Sequence, residues 1–295
     1  MVEYEFVLAD VFTQQPFGGN QLAVFPDARG MSGATMQALA GEFNFSETAF
    51  AFPLAPRSSY RMRIFTPQRE LPFAGHPTVG AASVLAADEH GAAEAIERRM
   101  TFEEGIGPVT VDVSGTFSRL ALNVPFEASS HRPSVKSLAG ALSLPEEDIL
   151  DCWYGGVGLA FCYVRLASAD AVDRAVLDKA AWAADVAHGW SPHLYVFAGE
   201  FHSGGTLYAR AFAPAAGVDE DPATGSAGAG LIGSLAQWST LPDGDHTLRI
   251  QQGNRMGRPS LIEAGARTEG GRLTAVTVAG FTTVVGKGTI TLPNR

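Results

Sequence analysis

The chain has 295 residues, 46% of them hydrophobic and 18% charged, enough for two domains with cores of their own, and no apolar run approaches membrane-spanning length. A formal net charge of −10 argues against nucleic acid and anionic membrane as partners. The two cysteines, Cys152 and Cys162, form no disulfide framework, and residues 3–10 lack the basic-then-apolar layout of a signal peptide, so the expected location is the reducing cytoplasm.

In chain order, residues 4–12 read as a strand, 14–20 as a loop and Gln21–Phe25 as a second strand closed by Pro26. Ser32 is placed to cap a helix with Met36, Leu39, Ala40 and Phe43 on one face. A polar junction, Asn44-Phe45-Ser46-Glu47-Thr48, leads into the strand 49–52. Strands follow near 98–112 and 118–124, the second cleanly alternating. Residues 125–133 read as a linker, which sets the expected domains at 1–126 and 127–286. The second half opens on a short helix near 134–143. Strands around 151–168, a helix near 170–187 and the strand Leu194–Phe197 come next, and glycine-punctuated short strands end the chain. The order predicts an α+β fold.

Two stretches repeat. Arg63-Ile64-Phe65-Thr66-Pro67 is followed by His76-Pro77-Thr78-Val79-Gly80-Ala81-Ala82. Arg210-Ala211-Phe212-Ala213-Pro214 is followed by Asp221-Pro222-Ala223-Thr224-Gly225-Ser226-Ala227. The first pieces lie 210 − 63 = 147 residues apart and the second 221 − 76 = 145, which predicts an internal duplication. Each copy reads as a strand stopped by proline, then a loop entering a helix, with His76 and Asp221 expected at the N-caps. Both helices are apolar nearly all round and rich in glycine and alanine, so each is expected to lie buried with backbone close against it. Their positive N-terminal ends suit a carboxylate or enolate.

Several residues are candidates for chemistry. Glu47 reads either as a surface glutamate at a helix end or, buried between Phe45 and Phe50, as a proton-transfer group. The corresponding junction of the second half, Gly189-Trp190-Ser191-Pro192-His193, has no carboxylate, so the scaffold does not itself require Glu47. His76 and Asp221 are either structural caps or a pair lining one cleft. Asp219 and Glu220 read as a solvated turn, and Arg255 and Arg258 as part of a polar hairpin. The glycines at 155–158 run into a strand, which rules out a dinucleotide fingerprint. The seven histidines show no ligand spacing, so no metal is expected.

These stretches together resemble the PhzF family, the phenazine biosynthesis-like proteins of the diaminopimelate epimerase fold. The resemblance rests on Asp10-Val11-Phe12-Thr13, residues 16–20, residues 44–48, Arg63–Pro67, Glu70–Pro77 and Glu220–Ala227, with a weaker match at Gln252-Gly253 and Gly257–Ser260. It implies two similar domains, each a barrel-like sheet around a central helix, with the last strand, about 287–295, returning to the first domain. It also implies an active site in the cleft between them, a homodimer and no cofactor. Carried over by position, Glu47 is the acid/base, His76 and Asp221 are its partners, and Ser46, Gly75, Gly225 and Ser226 line the carboxylate-binding region. Neither Cys152 nor Cys162 falls in a motif, which disfavours a two-thiol racemase. The function expected is a cofactor-independent isomerase that moves a proton within a small unsaturated carboxylic acid. The alternatives are an epimerase or racemase of such an acid and a carboxylate-binding protein without turnover. A hydrolase fits less well, because Ser46 and Ser226 have no histidine–carboxylate relay in sequence.

Overall fold

The computed structural model describes residues 1–56, 58–88, 97–238 and 241–293. The chain divides into two compact units, 1–121 with 279–295, and 122–278. The change-over falls at 121/122 rather than 126/127, and the return begins at Ala279 rather than near 287.

The first unit runs β1 (Val2–Val11), β2 (Asn20–Phe25), α1 (Gly33–Phe43), β3 (Glu47–Pro53), β4 (Ser59–Phe65), β5 (Glu70–Leu71), α2 (Gly75–Asp88), β6 (Glu97–Glu104), β7 (Gly107–Ser114) and β8 (Phe117–Leu122). The second continues with β9 (Phe126–Ala128), α3 (Val135–Leu142), β10 (Ile149–Val157), β11 (Leu159–Leu166), α4 (Ala169–Arg174), α5 (Lys179–Asp185), β12 (Leu194–Gly199), β13 (Thr206–Ala213), β14 (Val218–Asp221), α6 (Gly225–Trp238), β15 (Gly244–Gln252) and β16 (Ser260–Glu269). The long strand β17 (Arg272–Leu292) starts in the second unit and ends in the first. Gly270 and Gly271 both have positive φ, 59° and 70°, as a two-residue turn between β16 and β17 requires.

In the first unit the pairings run β17–β1–β2–β3–β4–β6–β7–β8 and back to β17, so the sheet closes on itself. Closure leaves no free edge. Two of its pairings, β2–β3 and β4–β6, are parallel and need crossovers, which α1 and α2 supply. Ser32 caps α1 by accepting from Thr35 N at 3.1 Å, and Asn44 ends it in the left-handed region at φ 53°. Its apolar stripe of Met36, Leu39 and Ala40 joins a buried cluster with Phe25, Phe50 and Phe65. The other crossover, α2, is buried on all sides that matter for packing: Thr78, Val79, Ala81 and Ala82 have no exposed surface. A Cβ on Gly80 would stand 2.5 Å from Val11 and 2.6 Å from Leu22, so only glycine lets β1 and β2 come this close.

The second unit repeats the plan along β9–β10–β11–β12–β13–β15–β16, with β11–β12 and β13–β15 as its parallel pairs. Helix α6 packs on β10, β11, β15 and β16 as α2 packs on its own strands. Cys152 and Cys162 lie in the core cluster behind this sheet, and burial pushes both thiols up, so neither is an activated thiolate. The helix expected near 170–187 is two helices, because Asp178 starts a new one by accepting from Ala180 N and Ala181 N.

The register of the duplication differs from the sequence reading. Both central helices span 14 residues, from Gly75 and from Gly225, so His76 corresponds to Ser226 and Pro72 to Pro222. Asp221 therefore corresponds to Leu71, not to His76. The apparent match of His76-Pro77 with Asp221-Pro222 arose because the second copy is longer between strand and helix: 225 − 210 = 15 against 75 − 63 = 12. The extra turn is the short 3-10 segment Pro214–Ala216. Nor is either residue an N-cap. His76 is the second residue of α2, and Asp221 ends β14. Glu220 is not a solvated turn residue either; it forks onto the buried Arg210 at 2.8 and 2.9 Å, as Glu70 forks onto Arg63 in the first unit. Asp219 does face solvent, paired with Lys179.

The close approach at the second helix should be measurable. A Cβ on Gly230 would stand 2.2 Å from Tyr163 Oη, which donates to Ala227 O at 2.8 Å, and 2.9 Å from Gly156 Cα. Gly230→Ala should cost about 1–3 kcal/mol by overpacking, plus roughly 1 kcal/mol if Tyr163 loses its acceptor. Gly140→Ala, where a Cβ would meet nothing within 4 Å, should be neutral or stabilise by up to about 1 kcal/mol. Urea unfolding of both variants checks the contrast, and equal midpoints would refute it.

Candidate active site

In the first unit four of the candidate residues come together at the start of β3 and of α2. The loop before β2 prepares the place. Asp10, 3% exposed, accepts from Phe17 N at 2.7 Å, and the loop turns through positive φ at Phe12, Phe17 and Gly19. Non-glycine residues at positive φ are uncommon, and two in one short loop mark a conformation imposed by its surroundings. The loop delivers the buried Asn20, whose Oδ1 accepts from Ser46 Oγ at 2.9 Å. Ser46 precedes Glu47, the first residue of β3, which lies beside Leu22 in the parallel β2–β3 pair.

His76 Nδ1 lies 3.0 Å from Glu47 Oε2, with side-chain exposures of 6% and 18%. Its Nε2 lies 3.3 Å from Gln21 O. A carbonyl only accepts, so Nε2 carries a hydrogen. Nδ1 and Oε2 then need one proton shared between them, as a carboxylic acid donating to neutral imidazole or as imidazolium donating to carboxylate. The two groups thus face each other across one hydrogen-bond distance, mostly shielded from water, at the positive end of α2 where Gly75 begins the helix. Glu47 is not a fully exposed helix-end glutamate.

The second unit gathers Asp221, Gly225 and Ser226 around the start of α6. Asp221 Oδ2 accepts from Thr224 Oγ1 at 2.6 Å. Beneath them lies Gln252, with no exposed surface. Its Nε2 donates to Asp221 O at 2.8 Å and Thr224 Oγ1 at 2.9 Å, and its Oε1 accepts from Tyr195 Oη at 3.0 Å and Thr224 N at 3.3 Å. All four bonding positions of the amide are used, which fixes the loop ahead of α6. Sequence reading gave Gln252 no role; its signal was the weak Gln252-Gly253 match. Arg255 and Arg258 sit in the connection between β15 and β16, where Gly253 and Gly257 have positive φ. Among the described residues no group of three or more histidine, cysteine, aspartate or glutamate side chains is arranged to hold a metal ion. No helix among them is long and apolar enough to cross a membrane.

Residues 9–288 match the family model of the phenazine biosynthesis-like proteins, PhzC-PhzF. The chain belongs to the PhzF family. A protein of Mesorhizobium japonicum named as an isomerase is 36% identical over 96% of this chain and 97% of its own. The trans-2,3-dihydro-3-hydroxyanthranilate isomerase of Pseudomonas fluorescens is 33% identical over 98% of this chain and all of its own. Among solved structures, the Bacillus anthracis PhzF-family protein superposes with a TM-score of 0.84 over 99% of this chain and all of its own, at 23% identity. With this family membership the chain is an isomerase, and its two units have the barrel-around-a-helix plan of the PhzF fold.

Proposed function

We propose that this isomerase moves a proton between two carbons of a small unsaturated carboxylic acid, with Glu47 as the acid/base and no cofactor. The observation that carries the reading is the 3.0 Å contact between Glu47 Oε2 and His76 Nδ1, both largely buried. A group that takes a proton from one carbon and returns it to another must hold that proton in between, and this pair has a second nitrogenous partner for it. Removing a proton from carbon leaves charge on the conjugated acid, and the positive ends of α2 and α6 suit that charge. On this reading Ser46, Gly75, Gly225 and Ser226 bind the carboxylate, and Asp221 is the further polar partner. A single proton-holding pair favours transfer within one molecule over epimerisation, which needs a second group on the opposite face. The Pseudomonas fluorescens relative makes trans-2,3-dihydro-3-hydroxyanthranilate the first acid to try.

The test uses substrate deuterated at the carbon that loses hydrogen, drawn from small conjugated acids of that type. The reading expects label to leave that carbon, part of it arriving at the accepting carbon and the rest exchanging with solvent. Product that keeps its full label at the original carbon would show that no proton moved there, and would overturn the reading.

A further inference from the structure

One buried acid of the first unit plays no part in that scheme. Glu104, at the end of β6, is 9% exposed, and its Oε2 is buried with no hydrogen-bond partner. Its Oε1 lies 2.8 Å from Thr78 Oγ1, which is itself 2.8 Å from Ala74 O. A threonine hydroxyl has one hydrogen, and a carbonyl can only accept. Two arrangements are open: Thr78 donates to Ala74 O while a neutral Glu104 donates to Thr78, or Thr78 donates to an ionised Glu104 and Ala74 O keeps only the Thr78 N–H at 3.4 Å. The first arrangement, which keeps both hydroxyl contacts, needs an un-ionised carboxyl on Glu104, and the orphaned, buried Oε2 favours it.

The surroundings agree. Arg61 and Glu103 are paired opposite each other on β4 and β6 and are exposed, so Glu104, one residue on, points to the other face. Arg63 is committed to Glu70 at 2.6 Å through two nitrogens. From β7 the residue opposite is Gly107, and from α2 the nearest titratable group is His76. Among the described residues no cation is paired with Glu104, and burial pushes its carboxyl up to about 8, against a smaller opposing effect of the Thr78 hydroxyl.

The duplication supplies a second copy of the arrangement. Glu104-Gly105 ends β6 as Gln252-Gly253 ends β15. A Cβ on Gly105 would strike Pro72 at 2.8 Å, and one on Gly253 would strike Pro222 O at 2.6 Å, so the two dipeptides hold equivalent places. In the second unit the neutral amide of Gln252 ties down the loop before α6. In the first, the same position is filled by a carboxyl bonded to the first turn of α2.

We propose that Glu104 is a positioning residue for the Glu47–His76 pair, kept as a neutral carboxylic acid that locks the first turn of α2 through Thr78. The locked turn runs from Ala74 O to Thr78 and contains His76, so ionisation of Glu104 would draw the Thr78 hydroxyl from Ala74 O to the carboxylate and loosen the segment that aims the imidazole at Glu47. The catalytic consequence rests on the proposed role of Glu47; the lock itself does not.

Glu104→Gln keeps a donor toward Thr78 and cannot ionise. The rate with substrate should therefore stay within about twofold of wild type at pH 7. Wild-type kcat should fall above pH 8 with KM little changed, and that alkaline fall should be absent from Glu104→Gln. Glu104→Ala should lose roughly tenfold or more in kcat. A substrate-free readout separates the lock from the reaction: the ring-nitrogen resonances of His76 should shift with a midpoint near pH 8 in wild type and not in Glu104→Gln. Failure of the kinetic expectations with the His76 shift intact would overturn the positioning role in catalysis. A His76 titration identical in wild type and Glu104→Gln would overturn the lock, whatever the substrate proves to be.

Discussion

Glu47→Gln should lower turnover by roughly 10²–10⁴-fold while ligand affinity stays close to that of wild type. The substitution preserves volume and leaves a hydrogen bond to His76 available, since the new amide nitrogen can donate to Nδ1 while Nε2–H continues to face Gln21 O. What it removes is the proton the pair can give and take. The loss should therefore appear in kcat, with KM nearly unchanged. Steady-state kinetics set against calorimetric binding of a substrate analogue make the comparison. A folded variant with wild-type turnover would remove Glu47 from the mechanism.

The largest expected stability effect comes from the two equivalent ion pairs, because burial separates their contributions. In the second unit Arg210 and Glu220 are 9% and 19% exposed, and Arg210 Nη1 also donates to Ala175 O at 2.7 Å and Val172 O at 3.0 Å. In the first unit Arg63 and Glu70 are 33% and 43% exposed. Glu220→Ala strands a buried guanidinium and should destabilise by about 3–5 kcal/mol. Glu70→Ala breaks the same bidentate geometry in contact with water and should cost at most about 1 kcal/mol. The ratio of the two, from urea unfolding of both variants, is the informative quantity. Equal losses would mean that burial is not what distinguishes the two halves.

Local chemistry made a good part of this molecule legible in its sequence. Ser32 capped its helix, the alternating stretch at 118–124 became β8, and the glycine-rich helices lie in the cores of their units. In each case the cause is short-range: a cap, a period of two, or a residue without a Cβ. Glu47 and His76 stood out as candidates because their motifs are local too. Their partnership was implied by the family resemblance and by no local pattern. They lie in different elements, and only the parallel pairing of β2 with β3 and the burial of α2 against those strands bring them within 3.0 Å.

The repeat shows the same division more sharply. Its existence can be read from composition and order, but its register cannot. After the Arg-x-Phe-x-Pro piece the first stretch has two prolines, Pro72 and Pro77, where the second has Pro222 alone, so both compete as its match, and three extra residues in a short helical turn tip the reading the wrong way. Only the start of each 14-residue helix decides between them. Glu104, Gln252 and the Arg210–Glu220 pair were likewise invisible as a set, because a side chain's partner across a sheet depends on strand order and register. Composition and local order were enough for the duplication, for most of the helices and strands and for the residues worth watching. Which of them meet follows from strand order and register, since closing a sheet around a helix joins residues through long-range pairing that no local pattern encodes.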